Sequence, residues 1–219
     1  NNAKIKWDYN GLAYGIYGGL FYVSGGIYRT DYTGLVEYKN TWYYMVNGNF
    51  ASGYTGLVQH TNGRWYYIEN GIITWKYNGL VKKGNEFYYM SVSELNRNYT
   101  GLVKYSDGNY YKVVNGISNG TPAKVISSGT FSDRFTWKLL DANALIISGK
   151  GKMSNFDEAS DTPWYGSRKK IQTVIVEDGI TSIGDYTFAD CTELTEARIA
   201  DSVAYISDSA FQGCGKLKK

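Results

Sequence analysis

The chain has 219 residues, with 23 Lys and Arg against 20 Asp and Glu, one His and two Cys. A formal net charge of +3 with both signs mixed along the chain leaves no basic stripe for nucleic acid, and no run of 18 apolar residues offers a membrane-spanning segment. Two Pro beside 26 Gly and 22 Tyr suit tight turns and exclude a Pro-rich linker.

The amino terminus, Asn1-Asn2-Ala3-Lys4-Ile5-Lys6, is neither a signal peptide nor an anchor, which leaves a cytosolic chain or a fragment of an exported one. From there a tetrapeptide Tyr-Asn/Thr-Gly-Leu recurs at Tyr9, Tyr32, Tyr54, Tyr77 and Tyr99, a period of 22 or 23 residues. A unit that short cannot bury a core alone and must stack on its neighbours. The length varies only between two apolar runs, where Tyr38-Lys39-Asn40-Thr41-Trp42 becomes His60-Thr61-Asn62-Gly63-Arg64-Trp65, so a turn lies there. Runs such as Gly34–Tyr38 and Trp42–Val46 are rich in aromatic and branched residues, and Asn62-Gly63 and Asp107-Gly108 favour hairpin turns. Each unit is therefore expected to be one β-hairpin. A second turn at Asn47-Gly48 and Asn70-Gly71 is followed by Phe50 and Ile73, with Tyr28 and Leu95 in equivalent places, and these are expected to plug into the next hairpin.

The hairpin pattern stops around Asn119-Gly120-Thr121-Pro122. Thr136–Leu140 and Ala144–Ser148, around Asp141-Ala142-Asn143, read as a further hairpin. Asp161-Thr162-Pro163-Trp164-Tyr165 suits the start of a short helix capped by Asp161 or Thr162, with Pro163 in its first turn. A second period of 23 then relates Val176 to Ile199, Ile183 to Ile206, Phe188 to Phe211, Cys191 to Cys214 and Leu194 to Leu217. Leu194-x-x-Ala197-x-Ile199 has leucine-rich-repeat spacing. The chain stops at Lys219 before a further repeat or polar cap, so the native protein is expected to continue.

Residues 171–217, with Ile-Gly-x-x-x-Phe-x-x-Cys-x-x-Leu once in full and once with Ser207 for the Gly, resemble the BspA-type leucine-rich repeats of bacterial surface proteins. Residues around Trp137, Ile147–Gly151 and Pro163–Tyr165 are similar to the region that often precedes such repeats. Residues 7–120 resemble choline-binding and glucan-binding cell-wall repeats: Trp42-Tyr43-Tyr44 and Trp65-Tyr66-Tyr67 match their Trp-Tyr-Tyr run, and Phe87-Tyr88-Tyr89 and Leu20-Phe21-Tyr22 approximate it. One departure is systematic. Where that family places a Trp after the Gly, this chain has Leu12, Leu35, Leu57, Leu80 and Leu102. Because an aromatic cage holds a quaternary ammonium by about 0.5–2 kcal/mol per face, losing that indole predicts that residues 1–120 bind choline too weakly for retention on a choline resin.

The resulting expectation is a mainly β chain: a tandem β-hairpin array at 1–120, then a short leucine-rich-repeat solenoid with a small β cap at 121–219, divided into a cap region (121–170) and repeats (171–219). These resemblances imply a non-enzymatic, extracellular protein of the bacterial cell surface. Candidate ligand contacts are Trp42, Tyr44, Trp65, Tyr67, Trp75, Phe87 and Tyr89, for a cell-wall or host polysaccharide. Candidate protein contacts are Thr173, Ile175, Glu196 and Arg198, for a host or bacterial surface protein. Alternatives are a structural stalk displaying the leucine-rich repeats, or the targeting region of a larger surface enzyme. Tyr43, Tyr66, Tyr88 and Tyr111 read first as packing between units and second as ligand contacts. Cys191 and Cys214 share one inward rung and are expected as free thiols. His60, the lone histidine, replaces Tyr38 and Tyr105 on the strand surface; no glycine-flanked nucleophile supports a triad with it. Asp157, Glu158 and Asp161 are spaced like a solvated loop, so no metal or cofactor is expected.

Overall fold

The computed structural model describes residues 8–16 and 18–218, so the readings of the amino-terminal hexapeptide and of Lys219 lie outside the described residues. The fold is mainly β, and the chain divides into two compact units, Asn1–Pro122 and Ala123–Lys219. No helix among the described residues is long and apolar enough to cross a membrane.

In the first unit every repeat is one antiparallel hairpin. The pairs are β1 (Gly11–Tyr14) with β2 (Leu20–Ser24), and β4 (Gly34–Tyr38) with β5 (Thr41–Val46). They continue with β7 (Gly56–Gln59) and β8 (Trp65–Ile68), then β9 (Gly79–Lys83) and β10 (Glu86–Ser91), and finally β12 (Gly101–Lys104) and β13 (Tyr110–Val113). Between hairpins run two-residue tail strands, β3 (Ile27–Tyr28), β6 (Asn49–Phe50), β11 (Glu94–Leu95) and β14 (Ile117–Ser118). The second tail shows their purpose: Asn49 pairs with Val46 of its own hairpin and with Phe21 of the one before. Each tail thus carries the sheet from one hairpin to its predecessor, which is how a unit too small for its own core shares one with its neighbours.

Two backbone bonds repeat at each step. The Tyr44 amide donates to the Gly71 carbonyl (2.7 Å), while the Gly71 amide donates to the Tyr54 carbonyl (2.8 Å). Gly48 and Gly116 make the same pair of bonds, and so does Ser93 in the fourth hairpin. These residues sit at φ between +50° and +80° in turns that L side chains disfavour, which accounts for the Asn-Gly and Val92-Ser93 steps. Phe50 lies against Gly71, whose missing Cβ would stand 2.5 Å from the Phe50 ring, so the tail residue does seat on the next hairpin.

In the second unit β15 (Val125–Phe131), β16 (Phe135–Leu140) and β17 (Ala144–Gly149) form an antiparallel meander. Sequence reading missed β15, since Val-Ile-Ser-Ser-Gly-Thr-Phe has no clean alternation. The sheet then turns parallel: β17 pairs β19 (Thr173–Val176), which pairs β21 (Glu196–Ile199) with partners 23 residues apart. On the return side β18 (Gly151–Lys152), β20 (Ile180–Ile183) and β22 (Tyr205–Ile206) form a second parallel ladder. Between the two lies the core of Leu145, Ile147, Trp164, Val174, Val176, Ile180, Phe188, Cys191 and Leu194.

The helix expected after Asp161 is two short 3-10 turns, Ala159–Asp161 and Tyr165–Lys170. Neither Asp161 nor Thr162 caps the second. Thr162 Oγ1 donates back to the Ala159 carbonyl and Asp161 accepts from the Glu158 amide, so both side chains are spent on the preceding turn.

Both cysteines are free, Cys191 buried and Cys214 half-buried, and Phe188 meets Phe211 at 5.1 Å. The Cys214 thiol donates to the Phe188 carbonyl at 3.1 Å. A hydrogen bond to Cys214, together with burial, pushes the Cys191 thiol well up from its ordinary value, so little thiolate is present to react. Thiol titration of the folded chain should therefore leave Cys191 unmodified, while the denatured, unreduced chain should give two groups. An intrachain bridge detected by mass would reverse this.

Candidate ligand-binding site

The Tyr-x-Gly-Leu motif is a local clasp. In the third repeat the Tyr54 hydroxyl donates to the Leu57 carbonyl (3.0 Å), and its ring closes over Gly56, where a Cβ would stand 3.0 Å from the hydroxyl oxygen. Tyr32, Tyr77 and Tyr99 donate to Leu35, Leu80 and Leu102 in the same way. Burial, then the neighbouring Tyr44, raises the Tyr54 hydroxyl above its ordinary 10.0, which keeps it a neutral donor. The five Leu are all buried beneath.

The clasp also closes the inter-repeat gap. Tyr22 meets Tyr32 at 4.3 Å, Tyr44 meets Tyr54 at 4.7 Å, Tyr67 meets Tyr77 at 4.2 Å and Tyr89 meets Tyr99 at 3.9 Å between ring centroids. A group sandwiched between two rings needs roughly twice the contact distance of 3.5–4.0 Å. Tyr44, Tyr67 and Tyr89 therefore pack on their partners with no room for an inserted group.

The third tail departs from this pattern. It keeps the bridges of Ile72 to Glu69 and to Tyr43. After Ile73 its course changes: Tyr32, Tyr54 and Tyr99 direct their amides to the carbonyl three residues back, but the Tyr77 amide donates to Ser93 Oγ at 3.1 Å. Ser93 is the one side chain placed in a slot otherwise held by Gly48, Gly71 and Gly116, and it is fully buried. Its hydroxyl occupies space into which the other tails press, so this tail swings away and Trp75 is held at φ +56°. For a bulky side chain that conformation costs about 1–3 kcal/mol and points to a positioned residue.

Trp75 lands edge-on against Tyr66 at 5.8 Å. With Trp42 of the second hairpin, His60, Asn62 and Ile73 these rings line a cleft of about 70 Å³. His60 packs edge-on to Trp42 at 5.1 Å and to Tyr66 at 6.3 Å. Asn62 braces the wall: its side-chain amide donates to the Tyr66 hydroxyl (3.3 Å), its side-chain oxygen accepts from the Arg64 amide (2.9 Å), and its own amide donates to His60 Nδ1 (3.3 Å). Beyond Ile73 and Trp75 an open groove of about 630 Å³ continues past Asn40, Thr41, Glu69 and Lys76.

Residues 31–48, 53–74 and 98–119 match the choline-binding repeat, and residues 155–219 match the BspA type leucine-rich repeat region. Each unit thus matches the model of one repeat family. Both families are typical of bacterial surface proteins and neither is catalytic. Among solved structures, a leucine-rich repeat protein from Eubacterium ventriosum is 37% identical over 42% of this chain, with a TM-score of 0.40. The chain spans about a quarter of that protein, 25% of its length. No curated protein matches.

In the hairpin array the other sequence candidates scatter. Trp42 and Trp75 share the cleft with Tyr66 and His60, forming an aromatic box. Trp65 instead borders an open groove of about 450 Å³ with Arg64, Glu94, Asn96, Arg97 and Asn98, and Lys83 Nζ lies 3.8 Å from its ring centroid. Phe87 is 3% exposed, packed on Tyr105 and Tyr111, and is a core residue with no free face. Tyr66, read first as packing and second as a ligand contact, belongs to the box, as does Asn62, read only as a turn residue. The cue for them lay in the tail: Ile72-Ile73-Thr74-Trp75-Lys76-Tyr77 carries an indole where the others have Thr30, Ser52 and Arg97. In the leucine-rich repeats Ile175 is buried, while Thr173, Glu196 and Arg198 are half-buried, with Glu196 and Arg198 spent on each other at 2.9 Å.

Proposed function

We propose that this chain is a non-catalytic attachment protein of the bacterial cell surface. Its hairpin array holds a cell-wall polymer through the Trp42–Tyr66–Trp75 box, and its leucine-rich repeats meet a protein surface around Thr173, Glu196 and Arg198. The box is the observation that carries the reading, because elsewhere in the array the tyrosine pairs close on themselves.

Its size and lining suggest what enters. A cleft of about 70 Å³ has the share of liquid volume of roughly two waters, too little to enclose a sugar ring, so what seats in it is part of a small group such as the methyls of a methylated ammonium head. Its walls are aromatic faces with no carboxylate, which attract a cation of dispersed charge. The larger polar groove beyond Trp75 suits the body of such a polymer. Three faces at about 0.5–2 kcal/mol each reach the millimolar range, which requires about 4 kcal/mol. A single site that weak agrees with no retention on a choline resin, because the replacement of Trp by Leu bears on the closed junctions and not on this box.

Titration of the whole chain with tetramethylammonium chloride at pH 8, followed by tryptophan fluorescence against a sodium chloride control, should saturate in the millimolar range. Trp75→Ala should abolish the response. An unchanged response in that variant, or no saturable change in the wild type, would defeat the site.

A further inference from the structure

The Trp42, His60 and Tyr66 trio has a counterpart two hairpins on. There Phe87, Tyr105 and Tyr111 occupy the equivalent positions, with Phe87 4.6 Å from Tyr105 and 4.5 Å from Tyr111. The turns match as well: His60 donates to the Arg64 carbonyl and accepts from the Gly63 amide, as Tyr105 does with Asn109 and Gly108. Yet the second trio is a sealed core, Phe87 and Tyr111 being 3% and 5% exposed. The first lines a cleft. An imidazole is smaller than a phenol, so the opening stands where His60 replaces the larger ring.

His60 is held in this position by the turn: its Nδ1 accepts from the Asn62 amide at 3.3 Å, and its ring packs edge-on to Trp42 at 5.1 Å. Among the described residues lining the cleft there is no carboxylate, Lys or Arg. Arg64, next along the turn, is paired with Glu94 at 2.9 Å, and Glu69 and Lys76 line the adjoining groove.

We propose that His60 is the specificity-determining residue of the box: its small ring leaves open a site that the larger ring of Tyr105 fills in the equivalent repeat. The inference rests on the proposed attachment function.

Tetramethylammonium binding to the whole chain, measured by calorimetry at constant ionic strength and pH 8, should saturate for the wild type and for His60→Gln, whose side chain is also small. His60→Tyr, which installs the ring tolerated at Tyr105, should fold and bind about tenfold or more weakly. His60→Tyr binding like wild type, or His60→Gln losing binding as fully as His60→Tyr, overturns the opening role while leaving the box. Absence of binding by the wild type removes the attachment reading and the opening role together.

Discussion

Trp164→Ala should destabilise the leucine-rich unit by about 3–5 kcal/mol, the cost of emptying a buried indole site. Trp164 is 2% exposed and stands where the antiparallel meander meets the first parallel turn. Its ring touches Phe131 at 5.4 Å, Trp137 and Phe156 at 6.1 Å, and Phe188 at 6.2 Å, while its Nε1–H donates to the Thr187 carbonyl at 3.0 Å. No single neighbour can collapse into the space without leaving another of these contacts, so relaxation will recover little. For a domain of this size the melting temperature should fall by about 15–30 °C, read by near-ultraviolet circular dichroism. Trp164→Phe separates the two contributions: it keeps most ring contacts and strands the Thr187 carbonyl, for a loss of about 1–3 kcal/mol. A fall of less than about 1 kcal/mol in the Ala variant would mean that the meander and the repeats are not packed through this residue.

Gly71→Ala should cost the hairpin array about 2–4 kcal/mol through left-handed strain and overlap acting together. At φ +80° its new Cβ would stand 2.6 Å from the Ala51 carbonyl oxygen and 2.5 Å from Phe50 Cε2. A ring edge can turn aside; a backbone carbonyl held in the tail cannot. Gly71 also carries both staple bonds, from Tyr44 and to Tyr54, so moving it loosens the second hairpin from the third. In an array stabilised by neighbour contacts, that junction should split one thermal transition into two. Gly63→Ala is the control, with φ +82° and open space around the added carbon, and it should lose only the strain, about 1–2 kcal/mol. Equal losses for the two variants would show that the junction does not depend on the close approach. Because Ile73 and Trp75 follow Gly71 directly, the damaged junction should also weaken tetramethylammonium binding, which Gly63→Ala should leave closer to normal.

Much of the molecule was legible before folding was considered. The 22 and 23 residue periods, the Asn-Gly and Asp-Gly steps and the aromatic runs specify hairpins through local chemistry: turn conformation, strand preference and alternation. The 23-residue spacing of Phe188 with Phe211 specifies stacked parallel strands for the same reason, since equal spacing on a regular coil brings equal residues together. The replacement of Trp by Leu was likewise visible, and the tyrosine junctions close as the loss of that indole suggests.

What the sequence could not disclose is the box, because its causes lie far apart along the chain. Ser93 fills a slot elsewhere left to glycine, and the tail displaced by it begins some twenty residues earlier. Trp75 reaches Tyr66 only at a positive φ that no local preference would choose for an indole. Phe87 and Trp42 hold the same place in their repeats, yet Phe87 is packed against Tyr105 and Tyr111 while Trp42 lines a cleft with His60 and Trp75. Repeat grammar determines which residues are equivalent, through short-range turns and strands. Which of those equivalents faces a cleft is decided by steric contact between neighbouring units, a property of the packed array that no single repeat contains.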